Sequence, residues 1–334
     1  MRLHTLAREA RFAGSGTRLA RRAVHWREVL AEIRDAALGT ILRNLSHDRN
    51  CLSEEAVAAR TERLPYNPHK ARKHVDSFGQ FTQFRGLSVI DIGCGYGDLA
   101  IGLAKAGARR VVGVDLDPLR IDCARRNAEV EGVGHITRFD CLDFVTGWRR
   151  PETFDCALSI ASFEHILDAR QCLEKIYDCL VPGGALLTRF GPLWLSPYGA
   201  HMFDFTRVPW VHLLCSEKVV LGVRREVFRP GQAAERYEDI VGHLNRITVS
   251  RFRRYATAVG FEPRVFRVNP EKDTKWRGLL RPFNSLLNAT PGLRELGALT
   301  LLAVLDKPAD FSGIKAPTSQ RASARFSQVE SGCL

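Results

Sequence analysis

Three glycines at alternate positions, Gly93, Gly95 and Gly97, interrupt the run Val89-Ile-Asp-Ile-Gly-Cys-Gly-Tyr-Gly-Asp98 where an apolar stretch gives way to a helical pattern. Glycine at such a junction permits left-handed backbone angles and lets the main chain approach a ligand closely. Eighteen residues beyond Gly97, a second apolar run, Val111-Val-Gly-Val, ends in Asp115. A carboxylate at a strand tip there can accept hydrogen bonds from both hydroxyls of a ribose. A nucleoside-bearing cofactor is the expected ligand. A dinucleotide competes for this reading, but Asp98 stands where the third glycine of Gly-x-Gly-x-x-Gly would fall. Its charge suits a helix N-terminus and would repel a pyrophosphate seated on it.

A second group of residues could handle protons. Ser159-Ile-Ala-Ser-Phe-Glu-His165 closes another apolar run, and Phe190 opens a segment that gathers aromatics around His201 and Asp204. Imidazole titrates near neutrality and can take the proton of a hydroxyl. His201 is the favoured base, because Asp204 three residues on could orient its ring if the segment turns helically. His165 is the second candidate, with packing beside the cofactor as its alternative role.

The elements that must carry these residues alternate. Short apolar runs at 88–92, 110–114, 136–139, 156–160 and 185–190 are separated by helical stretches at 99–106, 118–131 and 169–180. This order predicts a parallel sheet covered by helices, and 264–268 and 298–305 could complete seven strands. Pro182-Gly183-Gly184 reads as a turn ahead of the fifth strand. Residues 1–80 read as an N-terminal helical extension, with arginines and apolar residues at helical spacing over 17–43. Residues 81–311 form the expected catalytic domain, with capping insertions at 191–250 and 269–297, and 312–334 reads as a disordered tail.

Asp91-Ile-Gly-Cys-Gly-Tyr-Gly97, Gly113-Val-Asp115, Phe139-Asp140, Phe154-Asp155 to His165 and Pro182-Gly-Gly184, in this order, resemble the successive motifs of class I S-adenosylmethionine-dependent methyltransferases, in their small-molecule branch. The resemblance implies a Rossmann-like α/β fold, a seven-stranded, mostly parallel sheet with helices on both faces and its last strand antiparallel. It implies S-adenosyl-L-methionine as cofactor. Gly93, Gly95 and Gly97 would line its methionine end, with Asp91 and Cys94 in the same turn. Asp115 would hold the ribose with Leu116 beside it, Asp140 and Cys141 would meet the adenine, and Ile160 would close the pocket; Asp143 could replace Asp140. Relatives with Glu-x-x-Glu-His chelate a divalent ion, but Ala161 replaces the first Glu here, so no metal is expected unless His201 or Asp204 completes the set.

The expected reaction is methyl transfer to a small-molecule acceptor, at oxygen. The net charge of +12 keeps a nucleic-acid or protein methyltransferase as the alternative, and a non-catalytic cofactor-binding scaffold as a third reading. Nine cysteines without a Cys-x-x-Cys pair argue against a disulfide framework or zinc module and for a reduced, cytoplasmic setting. No apolar run reaches the roughly 18 residues of a membrane span, which leaves room only for peripheral membrane contact. The sequence names neither the acceptor nor the oligomeric state.

Overall fold

The computed structural model describes residues 28, 30–46, 66–202, 205–227, 234–239, 244–269, 290 and 293–309. Seven strands, β1 (Ser88–Ile92), β2 (Arg110–Asp115), β3 (Thr137–Cys141), β4 (Phe154–Ile160), β5 (Leu180–Phe190), β6 (Glu262–Val268) and β7 (Leu301–Asp306), form one sheet of order β3-β2-β1-β4-β5-β7-β6. β1 to β5 pair in parallel, and β7 runs antiparallel between β5 and β6. The expected topology is the observed one. After β1 the chain moves outward to β2 and β3, then returns to place β4 on the other side of β1. The carboxyl ends of β1 and β4 therefore diverge, and open α/β sheets bind ligands in such a crevice.

Every residue of β1 is buried, as expected for a central strand covered on both faces. Alternation divides the core. Val89, Val111, Phe139, Leu158 and Leu187 pack on one side, and Ile90, Val112, Ala157, Leu186 and Leu305 on the other. The helix Asp98–Lys105 is buried from Asp98 to Ala104 because Pro68–Gly79 covers its outer side. A Cβ on Gly102 would lie 3.0 Å from Ala71 Cβ, so these two helices meet at small residues. Asp117, Asp168 and Thr248 accept backbone N–H bonds as N-caps of 118–130, 169–179 and 249–259.

One expectation changes. Pro182-Gly-Gly184 does not precede β5 but lies within it: the register jumps from Phe154↔Leu180 to Cys156↔Ala185, so these residues form a bulge. The N-terminal helix, described over 30–45, packs through Leu42 on the insertion. That insertion has its own apolar cluster, with Met202, Phe205, Val220, Leu221 and Tyr237. Asp204, residues 1–27, most of the second insertion (270–289) and the tail from 310 lie outside the described residues.

Candidate functional site

The glycine turn sits at the switch point, between the end of β1 and the helix 98–105. Gly93, Gly95 and Gly97 all adopt left-handed φ, at +74°, +53° and +82°. Crowding fixes two of them as well. A Cβ on Gly93 would fall 2.1 Å from Ser162 Oγ, and one on Gly97 would fall 2.9 Å from Ala124 Cβ. Gly95 has nothing within 4 Å of that position, so its backbone borders open space.

Asp115 reaches back to the turn. Its Oδ2 accepts the Gly95 N–H at 2.9 Å and its Oδ1 accepts the Asp117 N–H at 3.0 Å. Each oxygen keeps a second acceptor site, so the carboxylate can hold its own loop and still bind two hydroxyls. Below the turn lies Asp91, only 2% exposed, whose Oδ2 has no hydrogen-bond partner. Burial, and then the negative charge of Asp115, push its carboxyl up to about 7 against the opposing pull of Lys70. A buried carboxylate raised in this way, with a bare oxygen, is suited to a cationic ligand.

These groups face a cavity of about 570 Å³. Asp91, the turn, Ile160 and Ala161 line one side, and Lys70, Lys73 and Arg189 bring positive charge to the other, with His74 among them. The helix 68–79 is tied over the cavity by Asp98, which accepts the Asn67 N–H at 2.9 Å and pairs with Lys70 Nζ at 3.0 Å. An Arg189 N–H donates to His74 Nδ1 at 2.9 Å, and burial with the neighbouring cations holds that imidazole down to about 4.

The sequence expectations divide accordingly. Gly93, Cys94, Gly95, Asp91 and Ile160 line the cavity together, Asp115 braces its turn, and Gly97 closes the turn as the helix N-cap. Cys94 turns its thiol into the core, where a Cβ on Gly113 would lie 2.9 Å from Sγ, and burial pushes that thiol up. Leu116, 64% exposed, and Cys141 stand together at the tips of β2 and β3, with Cys141 Sγ 3.6 Å from the Leu116 carbonyl. Asp140 is a correction. Strand alternation puts Phe139 and Cys141 on the Asp115 side, and the Asp140 carboxylate is engaged by Arg138 at 3.0 Å and Arg150 at 3.4 Å. Asp143, beyond the strand end, caps the short helix 144–147.

Lys70, His74 and Arg189 escaped the sequence reading. The helix that carries Lys70 and His74 starts at Asn67-Pro68, and Arg189 is a lone cation in an apolar strand, but nothing in the sequence brought the two together.

A second cluster lies behind Gly191. Glu164 Oε1 accepts the Gly191 N–H at 3.2 Å, and burial pushes the Glu164 carboxyl up to about 7. The rings of His165 and His201 stand 5.1 Å apart. Burial, with His165 beside it, holds His201 down to about 4, so it is uncharged at neutral pH. The two expected histidines thus meet, and Asp204 is outside the described residues. No described helix is long and apolar enough to cross a membrane.

Residues 89–184 match the family model of a methyltransferase domain. A ubiquinone biosynthesis O-methyltransferase of Methylocella silvestris is 37% identical over 101 residues, 30% of this chain and 38% of that protein. A ribosomal protein L11 methyltransferase of Tolumonas auensis is 37% identical over 78 residues, 23% of this chain and 25% of its own length. A norajmaline N-methyltransferase of Rauvolfia serpentina is 28% identical over 100 residues, 30% of this chain and 34% of that protein. The chain therefore spans under two-fifths of the length of these relatives. Among solved structures, an S-adenosylmethionine dependent methyltransferase from Mesorhizobium loti aligns at 16% identity with a TM-score of 0.47, over 72% of this chain and 100% of that one.

Proposed function

We propose that the chain, whose residues 89–184 match a methyltransferase-domain model, transfers a methyl group from S-adenosyl-L-methionine to the oxygen of a small-molecule acceptor. The observation that carries the proposal is the bare Asp91 carboxylate beneath a glycine turn that Asp115 ties down. The residues fit the cofactor group by group. Asp115 offers two acceptors to a ribose diol, Asp91 offers an anion to the ammonium and sulfonium end, and Lys70, Lys73 and Arg189 offer cations to the carboxylate. Leu116 and Cys141 supply a rim for the adenine, with Asp143 in the place expected of Asp140.

The bound cofactor supplies a methyl group on a sulfonium, open to in-line displacement. The chain's part is alignment, exclusion of water, and custody of the acceptor's proton. His165 and His201 are the groups proposed for that last task; they sit beside Glu164, which accepts the N–H of the cavity-lining Gly191, and are not themselves among the residues lining the cavity. The cavity's volume falls in the range of small-molecule sites, which suits S-adenosyl-L-methionine. The domain match ends at 184, before the segment that brings His201, so the matched relatives do not decide the acceptor.

Calorimetric titration with S-adenosylmethionine, then methyl transfer from labelled cofactor into a fractionated cell extract, tests the reading. Saturable one-to-one binding and label in a small molecule are expected. No binding would remove the whole reading, and label only in nucleic acid or protein would overturn the acceptor class.

A further inference from the structure

We propose that Glu164, His165 and His201 form a binding site for one divalent first-row transition-metal ion, with Zn2+ as the representative. Each residue presents one ligand atom, and these atoms lie within 4.8 Å of one another. Ligands bound at about 2.0–2.2 Å from one ion stand up to about 4.4 Å apart, so small side-chain rotations close the set.

The hydrogen bonds around two of the three residues point the same way. Glu164 is 3% exposed, and the Gly191 N–H occupies its Oε1 while Oε2 has no partner. His201 Nδ1 lies 3.2 Å from the Gly199 carbonyl oxygen. A carbonyl only accepts, so Nδ1 carries the hydrogen and Nε2 keeps its lone pair. That Nε2 is buried and also has no partner. Both side chains are thus held from behind by the backbone and left bare in front. Metal-binding histidines and carboxylates are oriented in this manner, by an outer hydrogen bond that fixes the tautomer. The two bare acceptor atoms and one ring nitrogen of His165 face one point, and a single cation answers all three.

The donor set selects the kind of ion. Imidazole nitrogens disfavour Mg2+ and Ca2+, which take oxygen ligands, and the cluster contains no thiolate to favour a softer ion. Three protein ligands leave coordination positions open, as in catalytic rather than structural sites. Ala161 had argued against a metal on sequence grounds. His201 supplies the ligand that Ala161 lacks. Gly191, whose N–H braces Glu164, also lines the cavity, so the site adjoins the cavity wall. There the ion would polarise an acceptor hydroxyl and ease loss of its proton. That role rests on the proposed methyl transfer, whereas the binding of the ion does not.

The test uses the tag-free full chain, stripped with a chelator. Zn2+ is titrated by calorimetry and Co2+ by its visible absorption, in the wild type and in Glu164→Gln, His165→Ala and His201→Ala. Glu164→Gln keeps an oxygen for the Gly191 N–H, so it separates ligation from folding, and thermal melting with S-adenosylmethionine affinity checks each variant. One equivalent of metal is expected, with d–d bands and no thiolate charge-transfer band. Loss of a single outer hydrogen-bond partner costs about 10–100-fold in metal affinity, so each ligand variant should lose at least about 100-fold. Absence of saturable binding, variants that bind as the wild type does, or an intense thiolate band would each overturn the site. Metal binding without cofactor binding would sink only the proposed function, and the reverse would sink only this site.

Discussion

Asp115 Oδ2 accepts the Gly95 N–H at 2.9 Å, so the tip of β2 fastens the middle of the glycine turn that follows β1. The same carboxylate is the proposed ribose acceptor, which makes one residue both a brace for the turn and a ligand. Asp115→Ala removes two acceptors of charge-assisted bonds, each contributing roughly 1.5–3 kcal/mol. S-adenosylmethionine affinity should therefore fall at least about 100-fold by calorimetry. Unchanged affinity would remove Asp115 from the site.

Gly93 and Gly95 share left-handed backbone angles but not surroundings, and alanine should separate the two effects. Gly95→Ala meets no atom within 4 Å, so its cost is the backbone strain alone, about 1–2 kcal/mol. The melting temperature should drop by only about 2–8 °C while cofactor binding is lost, because the new methyl enters the cavity. Gly93→Ala puts a Cβ 2.1 Å from Ser162 Oγ and should be the more destabilising of the two in thermal melting. Equal melting temperatures for the two variants would contradict this geometry.

The Asp91 carboxyl, raised from 3.8 to about 7, gives a pH signature with a definite sign. An acid raised by folding contributes stability below its unfolded value and loses it as pH rises through the folded one, here between about 4 and 7. A cationic ligand reverses the preference by favouring the ionised form. Cofactor binding should then release a proton below pH 7, and affinity should fall by up to about tenfold per unit as pH drops further. Calorimetry in buffers of different ionisation enthalpy reads the proton directly. Asp91→Asn should bind more weakly and release none, and a variant that still releases the proton would clear Asp91.

The donor side was legible because its information is local. Gly93, Gly95, Gly97 and Asp115 sit at strand ends, where a backbone requirement or a single carboxylate leaves a mark on the sequence within a few residues. Asp140 was misplaced by one step of strand alternation: Phe139 takes the inward position, so the acid between it and Cys141 faces Arg138 and Arg150. The long-range pieces left no such mark. His74 meets Arg189 across 115 positions, and Glu164 meets His201 only because the chain after β5 folds back over Gly191. Leu42 in the insertion's core is of the same kind, since helical spacing announces a buried face without naming what buries it.

Arg189 should report how the cavity holds the anionic end of its ligand. Its guanidinium donates to His74 at 2.9 Å, and His74 is kept uncharged, so Arg189, with Lys70 and Lys73 nearby in the lining, can face a carboxylate. Decarboxylated S-adenosylmethionine has the same ribose, adenine and sulfonium but lacks that group. The wild type should bind it about 10–100-fold more weakly than the intact cofactor, the range of one charge-assisted contact at 1.5–3 kcal/mol. Arg189→Met should weaken the intact cofactor by a similar factor and leave the decarboxylated one nearly unaffected, so that discrimination between the two collapses. The comparison is internal to each protein, which removes any general loss of folding from the result. If Arg189→Met discriminates as strongly as the wild type, the carboxylate lies elsewhere in the cavity, and Lys70→Met becomes the variant in which the collapse should be found.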